Sequence, residues 1–201
     1  MDFNLPVPLL PVNDGIFFGL DVVLVKSGVA CVELRQGEQP RLRYLTVDTG
    51  KLRGGARLSM LRDLLTAELG CALQEAPDLT PRLAIIESGA YAASGRVFQL
   101  GGASAIAQLV MMDLEIPYLE ATPQQLKKFA TRRQDADKDL VRDAITERWD
   151  ITDEISHDEA DAAVAATLAY VTCTRAVRGR SEAKLVKTLL TSYSPEALAV
   201  L

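Results

Sequence analysis

The chain is predicted to fold as an α/β domain, a five-stranded mixed sheet with helices on both faces. Three observations predict it. Three strand-like runs come first, with a hairpin-type turn between the second and third. A short all-apolar run, LAIIE (83–87), then has the character of a buried parallel strand. From residue 55 onward, helix-period segments alternate with strands. The domain is expected to span 15–177, with an arm over 1–14 and a tail over 178–201 whose structure the pattern does not assign.

Pro6, Pro8 and Pro11 keep regular structure out of residues 1–14. The apolar run IFFGLDVVLV predicts a first strand over about 15–25. VACVEL (29–34) and RLRYLTV (41–47) are two more strands, and QGEQP between them suits a hairpin, so the three form an antiparallel meander. Leu58, Leu61, Leu64, Leu65 and Leu69 recur at helical spacing, which predicts a helix over 55–74. After the loop EAPDLTP and the strand LAIIE comes the small-residue loop SGAYAASG, then a helix over 96–112. IPYLEA (116–121) is the fifth strand. Pro123 opens a short helix over 123–131, since proline tolerates the first helical position. Asp135 or Asp137 can cap a helix over 137–149 that carries Val141, Ile145 and Trp149 on one face. The last long helix spans about 157–177.

At 201 residues and 48% hydrophobic content, the chain is long and apolar enough for one well-packed core. Aromatics are only 5%, so that core is built from Leu, Val, Ile and Ala. The net charge of −5 is not that of a protein that coats nucleic acid by charge alone. The distribution is uneven, however. Residues 127–148 hold seven basic side chains among five acids, and 175–187 hold five against Glu182. The widely separated Cys31, Cys71 and Cys173 and the single His157 exclude a zinc site of thiolates and imidazoles. The cysteines are expected to be reduced core thiols in a cytoplasmic protein. No basic, apolar leader opens the chain, and no apolar run approaches the ~20 residues of a membrane span.

Four carboxylates stand out. Asp21 lies inside a strongly apolar strand, and Glu87 ends another. Asp158 and Asp161 fall three apart at the start of the last long helix. A lone buried carboxylate loses several kcal/mol of solvation unless a partner compensates it. Taken singly, each has an ordinary reading: first-turn helix acids, a strand end at the surface, or a buried arginine partner for Asp21. Taken together on strand ends and one helix face, they suit divalent cations. Magnesium prefers hard oxygen ligands, and two-metal phosphodiester hydrolysis needs several carboxylates on rigid elements.

These residues carry a resemblance. FGLDVV, LAIIES, FQLGGASAIAQLV (98–110), LEATPQQLKKFATRRQDADKDLV (119–141) and HDEADAAVAAT (157–167) are similar, in order and spacing, to the motifs of RuvC-type Holliday-junction resolvases, crossover junction endodeoxyribonucleases of the ribonuclease H-like superfamily. The resemblance spans about 15–175. It implies that Asp21, Glu87, Asp158 and Asp161 match the family's metal-binding acids and that Lys127 and Lys138 match its two functional lysines. It also implies two Mg²⁺ ions with Mn²⁺ able to substitute, a homodimer, and a four-way DNA junction as substrate. Lys127, Lys128, Arg132, Arg133 and Lys138 would contact DNA; on residue pattern alone, the lysines read as solvated helix faces.

Two departures suggest a divergent, phage-type member. Val22 and Val23 follow the first Asp where the family often has Pro-Gly. Ala90 stands where an aromatic usually lies, with Tyr91 next and able to stack on an opened base. Other branched DNA is therefore an alternative substrate, and a non-catalytic DNA-binding module an alternative role. An actin-like phosphotransferase shares a GxD strand but needs a second domain and Gly-rich phosphate loops, which this chain lacks.

Overall fold

The structure is a computed structural model and describes residues 12–88 and 97–191. Its elements are β1 (Gly15–Asp21), β2 (Lys26–Leu34), β3 (Arg41–Asp48), α1 (Gly54–Glu75), β4 (Pro81–Glu87), α2 (Val97–Asp113), β5 (Tyr118–Ala121), α3 (Pro123–Thr131), α4 (Lys138–Trp149), α5 (His157–Thr174) and α6 (Arg180–Thr191). The strands form one mixed sheet in the order β3-β2-β1-β4-β5. The meander β1–β2–β3 is antiparallel, and β4 and β5 add on parallel to β1. This is the five-stranded mixed sheet that the sequence predicts.

Strand alternation divides the core in two. Phe17, Leu83, Ile85 and Leu119 face α3, α4, α5 and α6. Ile16, Phe18, Leu20, Ala84 and Ile86 face α1 and α2. Helices therefore cover both faces. The alanine-rich α5 is buried along nearly its whole length, because it lies on the sheet with α3, α4 and α6 around it. Glycine allows that approach: a Cβ at Gly19 would run into the α5 backbone at Ala162 and Ala166.

The helix ends follow local chemistry. Thr122 caps α3 in a capping box with Gln125, and Pro123 takes the first helical turn. Asp137, rather than Asp135, caps α4 by accepting from the Leu140 N–H at 2.8 Å. Ser156 and Glu159 form the same reciprocal box at the start of α5.

Three expectations need correction. The first strand ends at Asp21 rather than near residue 25, because Ser27 Oγ bonds both the N–H and the C=O of Val23 and folds that stretch into a turn. Helix α5 stops at Thr174, where Arg175 turns left-handed and closes the last turn. Cys31 and Cys173 are buried free thiols, but Cys71 is exposed on α1 and is not a core residue. The stretch 180–191, left without assigned structure by the pattern, is the amphipathic helix α6. It buries Leu185, Val186, Leu189 and Leu190 against the core. Of the arm over 1–14 only residues 12–14 are described, and residues 192–201 of the tail lie outside the described residues.

Candidate metal centre

The site forms where two parallel strands end under the first turns of a helix. β1 and β4 pair in register, Leu20 against Ile86, so the next residues on each strand, Asp21 and Glu87, lie side by side. Alternation turns both toward α5, on the same face as Phe17 and Ile85. On the other side of β1, Asp21 pairs with Gly28 of β2. A Cβ at Gly28 would strike the Asp158 carbonyl, so its absence lets the start of α5 settle against this corner. That contact places Asp161, one turn into α5, over the two strand ends.

Asp21, Glu87 and Asp161 each offer a carboxylate oxygen, all within 4.8 Å of one another. Asp158 is not part of that close group. It sits at the helix start, half exposed, 3.7 Å from Lys138 Nζ. Lys138 also lies 3.4 Å from Asp161 and thus joins the two helix acids. Lys127, on α3, is close enough to Glu87 for its charge to favour the ionised carboxylate.

The electrostatics are those of crowded, desolvated acids. Burial, reinforced by Asp161 and Asp158, pushes the Asp21 carboxyl up to about 7 against the pull of Lys138. Burial, with Asp21 and Asp161 nearby, pushes Glu87 up to about 8. Asp161 is raised too, since its desolvation outweighs the attraction of Lys138. Burial alone would depress the Lys138 ammonium, but the carboxylates of Asp161, Asp21 and Asp158 outweigh it and hold the lysine above its ordinary range. One cation cannot neutralise this many buried acids. Three convergent carboxylate oxygens are the donor set that a hard divalent cation prefers, and the site fits one.

The remaining predicted residues are scattered. Lys128 is exposed on α3, and Arg132 is exposed at its left-handed C-cap. Arg133 pairs with Asp135 at 3.3 Å. Tyr91 lies outside the described residues. His157 is no part of the acid group; its Nε2 lies 3.0 Å from Asp139.

Three residues that sequence reasoning passed over support the site. Gly28 admits α5. Ser27 and Thr49 hold the turn that follows Asp21: the Ser27 hydroxyl donates to the Val23 carbonyl and the Thr49 hydroxyl to the Leu24 carbonyl, both at 2.7 Å. Their only signal was small residues, Ser27 and Gly28 in an apolar stretch and Thr49 in a polar turn, which says nothing of partners 25 positions away.

Two solved structures resemble the chain. A Thermus thermophilus RuvC structure matches at a TM-score of 0.61 and 17% identity, over 78% of this chain and 94% of that one. T. thermophilus RuvC in complex with a Holliday junction substrate matches at 0.64 and 17%, over 80% and 96%. The shared architecture is the ribonuclease H-like fold. With the strand ends and α5 converging as described, residues 17–170 match the model of the RuvC family, crossover junction endodeoxyribonuclease, and the chain belongs to that family.

Proposed function

We propose that this endodeoxyribonuclease resolves four-way DNA junctions with Mg²⁺ held by Asp21, Glu87 and Asp161, and with Asp158 as a fourth donor. The observation that carries the proposal is the convergence of three buried carboxylates within 4.8 Å in a chain of this family. When bound, Mg²⁺ supplies Lewis-acid polarisation of the scissile phosphate and lowers the pKa of water to yield a nucleophile near neutral pH. The donor set suits two ions, and Mn²⁺ offers the same hard-oxygen preference.

The chain's own residues divide the remaining work. Strand ends and a capped helix fix the carboxylates, so their spacing does not depend on a loop. Lys138 balances the charge of Asp158 and Asp161 in the metal-free protein. Lys127 and Lys138 would offset negative charge that develops on the phosphate during cleavage, a role that their nearness to the acids supports. Lys128, Arg132 and Arg133 lie on or just beyond α3 and suit backbone contacts rather than base reading. A four-way junction offers two symmetry-related strands, so a two-fold homodimer places one site on each. Exposed Met60 on α1 and exposed Leu109 and Met112 on α2 are the apolar side chains that favour this side of the molecule as the dimer face.

The test is Mg²⁺-dependent nicking of a labelled synthetic four-way junction, run beside linear duplex and a three-way fork, with chelator controls. Paired symmetric cuts in the junction alone support the proposal. Cuts in every branched substrate keep the chemistry and replace the substrate. Outer-shell partners of metal ligands are worth 10–100-fold, so Asp161→Asn, which removes a ligand, should lower the rate at least ~100-fold. A folded Asp161→Asn protein that cuts at the wild-type rate rejects the assigned centre.

A further inference from the structure

Helix α6 lies beyond residues 17–170, the span that the family match covers. Its two sides differ sharply. One is the apolar stripe Leu185, Val186, Leu189 and Leu190, packed on the core. The other presents Arg180, Lys184 and Lys187, all exposed and spaced i, i+4, i+7, so they share one face about 10 Å long. The N-terminal end of this stripe opens on a groove of about 200 Å³ lined by Arg132, Arg178, Gly179, Arg180, Ser181 and Glu182. The groove thus connects α6 to the end of α3.

Charge in this region is one-sided. Among the described residues, Glu182 is the only acid lining the groove, and it is taken up: Arg148 bonds it at 2.8 Å, and the Arg178 N–H donates to its other oxygen at 2.8 Å. Among the described residues, Arg132, Arg180, Lys184 and Lys187 have no ion-pair partner. The solvated helix α4 behaves differently, since its Arg142 is paired with Asp139 and Asp143. A helix face of unpaired cations is unexpected on a chain with net charge −5. It is also rigidly mounted, because the apolar stripe fixes α6 and the buried Arg148–Glu182 pair ties its first turn to α4. Arg132, the left-handed C-cap just past α3, stands five residues beyond Lys127 in the chain.

We infer that α6, with the end of α3, is a second phosphate-binding surface that grips a duplex arm of the DNA outside the cleavage site. The inference rests on the reading that the protein acts on branched DNA. Arginine forks and lysine ammonium groups match phosphate oxygens and carry no base selectivity, so this surface adds affinity and orientation rather than sequence preference.

The experiment measures binding of a labelled four-way junction and of linear duplex, in chelator, from 50 to 200 mM salt. The proteins are wild type, Arg180→Ala/Lys184→Ala/Lys187→Ala, Arg180→Ala, Arg180→Lys, and Arg62→Ala on the opposite face. Each lost phosphate contact should lower the slope of log affinity against log salt by about one, so the triple variant should lose about three units and Arg180→Ala about one. Arg180→Lys should restore most of the slope, and Arg62→Ala should match wild type. Equal melting temperatures separate lost charge from lost folding. Wild-type slopes in the triple variant overturn the inference. A wild type that binds duplex through the stripe but shows no preference for the junction keeps the inference and rejects the junction reading.

Discussion

Asp21 and Glu87 sit where water cannot reach them well and where Asp161 repels both, so protons stay on them far above the usual carboxylate range. Their ordinary values of 3.8 and 4.5 rise to about 7 and about 8. Between those limits the folded protein holds protons that the unfolded chain has released. The stability they contribute is therefore complete below about pH 4 and is lost as pH rises through 7 to 8. In chelator, the melting temperature should fall from pH 5 to pH 9. Added Mg²⁺ should shrink that fall, since a cation that binds only the folded form stabilises it by mass action. A metal-free melting temperature that climbs across this window would show that the acids are ionised without a cation. Gly28 poses a steric test at the same site. Gly28→Ala pushes a methyl group into the Asp158 carbonyl, and overpacking against backbone should cost ~3 kcal/mol, measured by urea unfolding, with a loss of Mg²⁺ affinity. At this scale the sequence made the acids legible by chemical incongruity, an Asp in an apolar strand. It could not separate Asp161 from Asp158, because i, i+3 spacing puts both on one face and only the packing of α5 on Gly28 decides which reaches the strands.

The elements were read with little error where one periodicity ruled. α3 matches its expected span and its proline start, because Pro123 is a local signal that needs no tertiary partner; the Thr122–Gln125 capping box, equally local, was not read from the sequence. The first strand was read too long for the opposite reason. Val22, Val23, Leu24 and Val25 favour a strand by propensity, yet the hydroxyls of Ser27 and Thr49 capture their carbonyls and turn the chain. Helix α6 was missed because its apolar positions come in two short pairs among seven polar residues, which is a weak signal until a core is there to cover it. Its attachment can be tested. Arg148 is nearly buried, paired with Glu182 and laid over the Phe129 ring with its guanidinium carbon 4.9 Å from the centroid. Glu182→Ala leaves that cation unpaired, which typically costs about 3–5 kcal/mol. Chemical denaturation should show such a loss, and a change under 1 kcal/mol would mean that α6 docks by its leucines alone.

For the whole molecule, the two-layer coverage of the sheet separates tasks. The α3–α6 side carries the acids and the basic surfaces. The α1–α2 side keeps exposed apolar side chains, Met112 at 64% being the most open. A homodimer through that side would leave both acid centres free for DNA. Light scattering on wild type should give twice the mass of the 201-residue chain, and Leu109→Lys/Met112→Lys should give a monomer with an unchanged circular dichroism spectrum. A monomeric wild type that still makes paired cuts would remove the dimer from the proposal.

Hydrophobic period, turn chemistry and caps are local, so the sequence alone determined the α/β class, the order of the first ten elements and the kind of chemistry that four acids imply. Tertiary structure decided what depends on contact between distant segments. It set the strand order β3-β2-β1-β4-β5, the meeting of Asp21, Glu87 and Asp161, the half-exposed place of Asp158, and the anchoring of α6. The reason is physical: a carboxylate's neighbours across 60 to 140 residues are chosen by which faces pack, and glycines at 19 and 28 permit that packing without announcing their partners.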